Sequence, residues 1–193
     1  MERRSFVKYT AAAGASLMLH PFSSIAAGSA TKLKLALVGT GVRGTSLWGK
    51  QIVNEFKDAC EFVGLCDINP GRLAYGKEYM GVSCPTFINV DEMLKQIKAD
   101  YVIVTTVDST HDEIIVKALN AGFNVITEKP MTTDEDKCRR ILEAEKKSGK
   151  KVTVAFNYRH SVHAMQLKEL LAGINLQGKY IYLQPISQKA KAT

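Results

Sequence analysis

A glycine-rich turn directly follows the first apolar run that is typical of a buried strand. The run is Leu33–Val38, and Gly39, Gly41 and Gly44 follow it with the spacing G-x-G-x-x-G before a helical pattern begins. In that context the first glycine permits a tight turn, the second lets the backbone approach a pyrophosphate, and the third lets the helix pack closely on the strand. Free N–H groups at the start of the helix then meet the phosphates. We therefore predict that this loop, with Val42 and Arg43, binds a dinucleotide.

A carboxylate closes the next apolar run. Asp67 ends the run Glu61–Cys66, about 20 residues beyond the glycines, where an acidic residue accepts hydrogen bonds from ribose hydroxyls. A 2′-phosphate would be repelled there, so NAD is favoured over NADP. The glycine spacing alone is weak and also marks simple turns. Asp67 could instead cap the helix that starts near Pro70, and we interpret Arg72 as a solvated helix residue rather than a phosphate ligand.

A lysine follows a later apolar run. Glu128, Lys129 and Pro130 come directly after Asn124–Thr127, at the predicted carboxyl end of a strand. A lysine in a partly dry pocket beside a cationic nicotinamide has a destabilised ammonium, which suits it to act as a general acid or base. A surface turn is the alternative, because Lys-Pro is common in loops. The position in the same sheet as the glycine loop favours the functional interpretation.

Further polar residues follow two other predicted strands. Thr105 and Thr106 are placed to contact ribose or phosphate, whereas His111 could either contact the cofactor or only pack at a helix start. Asn157 and Arg159 follow the last core strand and could line the far side of the cleft. They are equally consistent with ordinary polar residues at a domain boundary.

Short apolar runs alternate with helical patterns along the chain. This alternation predicts the α/β class, with a Rossmann-type, doubly wound parallel sheet and helices on both faces. Ligands are expected at the carboxyl ends of its strands. The predicted strands are Leu33–Val38, Phe62–Cys66, Tyr101–Thr105, Asn124–Thr127 and Val152–Ala155, and the predicted helices are Thr45–Phe56, Pro70–Tyr79, Val90–Gln96, His111–Ala121, Thr133–Lys147 and Ser161–Ala172.

The first 30 residues are typical of an export signal. Arg3 and Arg4 precede an apolar stretch from about Tyr9 to Leu19, which is too short to span a bilayer, and small residues follow it. The start resembles the bacterial twin-arginine pattern, which a receptor reads as an address; an ordinary secretory signal is the alternative. We predict export to the bacterial periplasm by the twin-arginine machinery, without a stable membrane anchor.

The formal charge of +7 does not predict a nucleic-acid partner. The two ends of the chain hold most of it, with +2 before residue 31 and +3 after residue 172, so no single folded face carries the excess. The four cysteines have no Cys-x-x-Cys spacing, which argues against a zinc site. We predict no metal site, and we interpret the cysteines as small buried or half-buried side chains.

Taken together, these motifs resemble those of the Gfo/Idh/MocA oxidoreductases, typified by glucose-fructose oxidoreductase and inositol dehydrogenase. The glycine loop, Asp67, the segment 106–111, the Glu-Lys-Pro triplet and the segment 157–159 match that family in order and spacing, from about Lys32 to Ala172. By this resemblance Lys129 is the catalytic lysine, Pro130 shapes the turn beneath the nicotinamide, and Asn157 and Arg159 border cofactor and substrate. Val107 stands where many relatives have proline.

The resemblance also implies a second, mostly antiparallel domain that supplies the substrate pocket and the carboxylate and histidine partners of the lysine. The chain stops where that domain is expected to begin. We therefore predict a signal peptide over 1–30, an NAD-binding domain over 32–156, and over 157–193 the start of an interdomain helix with a tail that is truncated or frame-shifted near Gly173. The oligomeric state stays open, because that domain most often forms the family's interface.

Three functions follow as hypotheses. The first is the cofactor half of an NAD-dependent oxidoreductase that moves a hydride from a sugar or cyclitol hydroxyl, with little turnover by this chain alone. The second is an NAD-dependent glycoside hydrolase of the same family, and the third is a nucleotide-binding module without catalysis. Sequencing the gene past codon 193 in all three frames distinguishes a frameshift from a natural half-protein.

Overall fold

The sheet of the computed structural model, which describes residues 31–172, consists of six parallel strands in the order β3-β2-β1-β4-β5-β6. This order is that of a doubly wound dinucleotide-binding sheet, in which the order of the strands reverses between β1 and β4. The predicted fold class is confirmed. The strands are β1 (Leu33–Val38), β2 (Cys60–Cys66), β3 (Thr86–Phe87), β4 (Tyr101–Val104), β5 (Asn124–Glu128) and β6 (Val152–Ala155).

Helices cover both faces of the sheet. A π-helix, Arg43–Lys50, follows the glycine loop and continues directly into α1. Short 3₁₀ turns span Asp108–Thr110 and Asn157–His160. The α-helices are α1 (Gln51–Glu55), α2 (Pro70–Met80), α3 (Val90–Gln96), α4 (His111–Asn120), α5 (Glu135–Ser148) and α6 (Val162–Ala172).

Alternation along β1 divides the core into two layers. Leu35 and Leu37 pack with α2 and the π-helix on one face, whereas Ala36 and Val38 pack with α3, α4 and α5 on the other. Successive strand residues point to opposite faces, so a strand covered on both sides is apolar throughout. The last four positions of β1 are accordingly all buried.

Two local differences separate the structure from the prediction. The sequence gives no sign of β3, because two residues cannot establish an alternating pattern. The helix predicted over Thr45–Phe56 begins as a π-helix, and its Gln51 N–H bonds to the Ser46 carbonyl. Gly44 and Gly49, five residues apart, are both buried in it. A winding with i→i+5 bonds places residues five apart on the same side of the helix.

The cysteine interpretation agrees with the structure. Cys60, Cys66, Cys84 and Cys138 are free thiols, with the middle two buried and the outer two half-buried. Within residues 31–172, no helix is both long and apolar enough to cross a membrane. The predicted signal peptide and the predicted aberrant tail beyond Ala172 lie outside the described residues.

Candidate dinucleotide site

The glycine loop is held at both of its ends and open in its middle. Gly39 has a φ of +97°, and its N–H donates to the Cys66 carbonyl at 2.8 Å. A Cβ on Gly39 would lie 2.8 Å from the Thr105 backbone, and one on Gly44 would overlap the Gly39 carbonyl oxygen. A Cβ on Gly41 would have no neighbour within 4 Å. The outer glycines therefore allow the loop to pack on the sheet, and the middle one leaves its backbone accessible to a ligand.

The first turn of the helix presents its N–H groups at this opening. The Thr45 N–H donates to the Gly41 carbonyl at 2.9 Å, so the helical bonds begin at the middle glycine. The first N–H groups of a helix have no partner within the helix, and they carry the positive end of its dipole. Val42, whose side chain is exposed, lies in this first turn. The arrangement suits a pyrophosphate without requiring a cationic side chain.

Thr105, predicted to contact the cofactor, supports the loop with its hydroxyl. Its Oγ1 donates to the Gly39 carbonyl at 2.7 Å, with the Val38 carbonyl 3.2 Å away, and the residue is buried at the end of β4. The bond fixes the peptide plane of Gly39, whose positive φ favours glycine. Thr105 still contributes to the wall of the cavity described below.

Asp67 is a buried carboxylate at the end of β2, with only 8% of its surface exposed. Its Oδ2 accepts from the Thr40 N–H at 2.8 Å and from the Thr40 hydroxyl at 3.1 Å. Its Oδ1 accepts from the Asn69 N–H at 2.8 Å, and Arg72 Nε lies 3.8 Å from the same oxygen. The carboxylate is thus fixed in direction beside the glycine loop.

The helix-cap alternative for Asp67 is wrong. The cap of α2 is Asn69, whose Oδ1 accepts from the backbone N–H groups of Gly71 at 3.0 Å and Arg72 at 3.1 Å. A side-chain oxygen in that position satisfies the unpaired N–H groups of the first turn. Asp67 consequently needs a different explanation, and its place on the cavity wall gives one.

A cavity of about 470 Å³ opens at the carboxyl ends of β1, β2 and β4. Ligand cavities commonly have a few hundred cubic ångströms, so this volume suits the adenosine half of a dinucleotide. Ile68, Ile88 and Val107 are exposed apolar side chains on its wall, placed to cover the faces of a planar base. Asp67, Arg72 and Thr106 provide polar groups on the same wall.

A lysine with two carboxylate partners lies at another part of the wall. Lys117 Nζ lies 2.8 Å from Glu113 Oε1 and 3.0 Å from Asp91 Oδ2. These hydrogen bonds raise the pKa of Lys117, with Glu113 contributing most. The lysine therefore joins α4 to α3 as a cation.

Glu128 and Arg43, both predicted to contact the cofactor, bind each other. Glu128 is 5% exposed, and its Oε1 accepts from Arg43 Nε at 2.8 Å and from Trp48 Nε1 at 2.8 Å. These bonds join the end of β5 to the π-helix. Sequence analysis missed Trp48; its signal was its status as the sole tryptophan of the chain, within one turn of the glycine loop.

Lys129 lies one residue beyond this contact, at the carboxyl end of the same sheet. Its side chain is exposed, and the bond to Pro130 is cis. Within residues 31–172, its ammonium has no hydrogen bond or ion pair.

Asn157 and Arg159 follow the adjacent strand β6 and are also exposed, with the Arg159 guanidinium 5.4 Å from the centre of the Phe156 ring. This flank of the cleft is open.

His111 does not line the cavity. It is fully buried at the start of α4, with Nδ1 2.9 Å from the Pro130 carbonyl oxygen and Nε2 3.2 Å from that of Thr106. Both partners accept only, so a neutral imidazole donates to one of them at a time. The ring joins the loop after β4 to the turn after Lys129. Its role in this structure is to connect two segments of the site.

Within the described residues, no group of histidine, cysteine, aspartate and glutamate side chains is arranged to hold a metal ion. The polar groups of the site are instead a fixed carboxylate, loop N–H groups and one free lysine. This set matches a dinucleotide in its phosphates and ribose hydroxyls.

The fold and the site define a dinucleotide-binding protein of the Rossmann type. Residues 33–156 match the family model described as "Oxidoreductase family, NAD-binding Rossmann fold" (GFO_IDH_MocA). The chain belongs to this family, and these residues form its NAD-binding domain. The resemblance deduced from the motifs is thereby confirmed.

Similar proteins cover the same part of the chain. YteT of Bacillus subtilis (strain 168), named only as a candidate oxidoreductase, is 40% identical over 141 residues, which are 71% of this chain and 33% of that protein. Inositol 2-dehydrogenase of Salmonella typhimurium is 29% identical over 140 residues, 72% of this chain and 41% of the relative. The chain thus spans about a third to two fifths of the length of these relatives.

Solved structures agree with these relatives. The WlbA dehydrogenase from Chromobacterium violaceum, crystallised with NADH and UDP-GlcNAcA, superposes with a TM-score of 0.68 at 30% identity, over 73% of this chain and 40% of that one. The WlbA dehydrogenase from Bordetella pertussis, also with NADH and UDP-GlcNAcA, gives a TM-score of 0.68 at 26% identity.

Proposed function

We propose that this chain is the cofactor-binding part of an NAD-dependent oxidoreductase that acts on a hydroxyl of a sugar or cyclitol. The observation that carries the proposal is the position of Lys129. Its side chain is exposed at the carboxyl end of β5 and has no partner within residues 31–172, and the neighbouring Glu128 is bound to the helix of the glycine loop. Among the relatives, inositol 2-dehydrogenase and WlbA have names that support this substrate class.

The residues present fit NAD on three counts. Gly41 leaves open space where a pyrophosphate would approach, Asp67 presents a fixed carboxylate, and the adjoining cavity has room for adenosine. NAD is favoured over NADP because a 2′-phosphate would meet that carboxylate. Arg72, 3.8 Å from Asp67, opposes this preference only weakly, because its own charge is already paired there.

When bound, NAD supplies the hydride acceptor, and the remaining chemistry is proton transfer and positioning. Lys129 Nζ, as the neutral amine, takes the proton of the substrate hydroxyl as the hydride leaves the carbon that bears it, and the resulting ammonium returns the proton in the reverse direction. The substrate must be held against both groups, which can account for several kcal/mol of the barrier. Residues 31–172 provide the lysine and the cofactor cleft, so we expect little turnover by these residues alone.

Binding can be tested with the fluorescence of Trp48, the single tryptophan of the chain. We expect NADH to quench its emission saturably through energy transfer, NAD to displace NADH, and NADP to compete less well. The control is Gly41→Val, whose side chain enters open space and occupies the phosphate position while the fold is kept. The absence of saturable binding at millimolar NADH would falsify the proposal.

Product analysis distinguishes the three functional hypotheses. Formation of NADH from a polyol identifies a dehydrogenase, whereas glycoside cleavage with no net NADH identifies the hydrolase. A binding module is the second candidate, favoured by the open flank around Lys129. Its sign is dinucleotide affinity that Lys129→Ala leaves unchanged, together with no activity on any polyol.

We also propose that residues 1–30 direct export to the bacterial periplasm by the twin-arginine route. The support is the Arg3–Arg4 pair followed by a short apolar stretch. A fusion of these residues to a reporter that folds in the cytoplasm should reach the periplasm, and replacement of both arginines by lysine should stop it. Export of the double-lysine fusion at the normal rate would contradict this route.

A further inference from the structure

The segment that carries Lys129 is held on both sides by side chains from other elements. On its amino side, the Glu128 carboxylate is bound by Arg43 and Trp48. On its carboxyl side, the Pro130 carbonyl oxygen lies 2.9 Å from Nδ1 of the buried His111. The lysine side chain itself has no partner within the described residues. Its position is therefore set by its two neighbours.

The winding of the helix after the glycine loop determines which donors reach Glu128. Arg43 and Trp48 are five residues apart, and both donate to the same carboxylate oxygen. In an α-helix, with 3.6 residues per turn, two such residues would point roughly 140° apart. The i→i+5 bonds of a π-helix place them on the same side. The π-helix Arg43–Lys50 is thus the local structure that lets both donors meet one carboxylate.

The two donors differ in what they can contribute. The exposed Arg43 belongs to the glycine loop itself, so it is part of the predicted phosphate site. Trp48 is half-buried, packs against the core layer that contains Leu37, and is not among the residues that line the cavity. Packing needs only the indole ring, whereas the bond to Glu128 needs its N–H. The bond to Glu128 can therefore be removed, as in Trp48→Phe, while an aromatic ring still packs on the core.

We propose that Trp48 is a positioning residue for Lys129. Its indole N–H fixes the Glu128 carboxylate, and this bond sets the backbone that carries the lysine against the bound nicotinamide. The inference rests on the proposed function, because it requires a dinucleotide beside Lys129. It adds a direct mechanical link between the helix that follows the phosphate loop and the proton-transfer group.

The test compares Trp48→Phe with the wild-type chain in two measurements. The first is NAD affinity by calorimetry, which requires no tryptophan. The second is the rate at which acetic anhydride modifies Lys129, measured by peptide mass spectrometry with and without saturating NAD. In the wild type, NAD should slow this modification by about tenfold, equivalent to roughly 1.4 kcal/mol. In Trp48→Phe most of this protection should be lost, while the affinity for NAD stays close to that of the wild type.

Tyr79→Phe is the matched control, because it removes a hydroxyl group from another aromatic ring, which stacks on Tyr75. It should keep full protection of Lys129. A Trp48→Phe chain that protects Lys129 as the wild type does would overturn the proposal. Equal loss of affinity and protection would also overturn it, since that result indicates a general structural role.

A second variant covers the case in which Trp48→Phe does not fold. Glu128→Gln keeps the shape of the acceptor but removes its charge, and weaker bonds to neutral groups should lower the protection of Lys129. Unchanged protection in this variant would count against the proposal. Failure of the wild type to bind NAD at all would instead refute the proposed function, so the two failures are distinguishable.

Discussion

The two flanks of the cleft are built differently. On the flank of β1, β2 and β4, the carboxylate of Asp67 accepts three hydrogen bonds, Thr105 holds Gly39, and the adjoining cavity has walls on several sides. On the flank of β5 and β6, Lys129, Asn157 and Arg159 are exposed. The described part of the chain therefore contains a nearly complete site for adenosine and pyrophosphate, and only one wall of a site for nicotinamide and substrate.

This difference separates affinity from catalysis. Binding energy for the dinucleotide should come mainly from the closed flank, which the chain provides in full. Under the proposed function, catalysis requires that a substrate be held on the open flank, where the described residues offer Lys129 and no enclosure. Substitutions on the two flanks should accordingly change different measurements.

The largest effect is expected at Gly44, on the closed flank. In Gly44→Ala the new methyl group overlaps the Gly39 carbonyl oxygen and lies 2.6 Å from Thr105 Oγ1, so the loop must move. NADH affinity should fall by more than about a hundredfold, and overpacking should lower the free energy of unfolding by about 1–3 kcal/mol. NADH titration and thermal unfolding measure the two effects.

Gly41→Ala is the control for Gly44→Ala. Its unfolding midpoint should stay near that of the wild type while its affinity for NADH falls. Equal destabilisation of both variants would contradict the different roles of the two glycines.

A smaller effect on affinity and a change in preference are expected at Asp67. Asp67→Ala removes the acceptor for ribose and for Thr40, so NAD affinity should fall by about ten- to a hundredfold, as for a hydrogen bond to a charged group. The ratio of NADP to NAD affinity should rise, because Arg72 remains and the repelling charge is gone. Paired titrations with both nucleotides test this. Thr40→Val keeps the carboxylate and should preserve the preference; a wild type that binds both nucleotides equally would refute it.

A pH effect is expected from Cys66, which precedes Asp67 on the closed flank. Burial, with a smaller contribution from the Asp67 charge, raises the pKa of this thiol from 9.0 to about 12. The folded state therefore holds the proton more tightly, so the thiol's contribution to stability is complete below pH 9 and is lost as the pH rises towards 12. The free energy of unfolding should fall by at most about 1.4 kcal/mol per pH unit through this thiol. Above pH 9, the free energy of unfolding should fall less steeply with pH in Cys66→Ala than in the wild type. Parallel curves of the free energy of unfolding against pH for the two proteins would contradict this role of Cys66.

The smallest effect is expected at Lys129, on the open flank. Because its ammonium has no partner within residues 31–172, Lys129→Ala should change the unfolding midpoint little and NADH affinity by less than about threefold. Lys117→Ala is the matched comparison, since that lysine pairs with Glu113 and Asp91 and its loss should cost about 0.5–1 kcal/mol. Greater destabilisation by Lys129→Ala than by Lys117→Ala would show that Lys129 makes a stabilising contact on the open flank.

Most of the fold could be predicted from local patterns, because apolar runs and helical periodicities are properties of adjacent residues. Strands β1 and β6 and helix α3 have the predicted bounds, and the parallel, doubly wound sheet follows from the alternation with helices. The order of the motifs likewise placed Gly39, Asp67, Thr105 and Glu128 at one edge of the sheet. The strand β3 could not be predicted, since it has two residues and forms by pairing with β2.

Side-chain partners were beyond the reach of the sequence. Trp48 and Glu128 are 80 residues apart, and nothing in either local pattern indicates that the indole and the carboxylate meet. The same holds for His111, whose helix-start position gave two alternatives that only the carbonyl partners on either side distinguish. Type and spacing could identify which residues lie at the edge of the sheet, but not which of them bind each other instead of a ligand.

The wide turn after the glycine loop also constrains how this part of the chain can change. It keeps two pairs of residues in register at once, Arg43 with Trp48 and Gly44 with Gly49, each five apart. An α-helical winding of the same residues would turn the second member of each pair away from the first. Loss of one residue between Gly44 and Trp48 would make both pairs four apart, which is a spacing that an α-helix keeps on one side. Homologous chains with an ordinary α-helix at this point should therefore place the two donors three or four residues apart. A deletion here would be tolerated only where both pairs had shifted together.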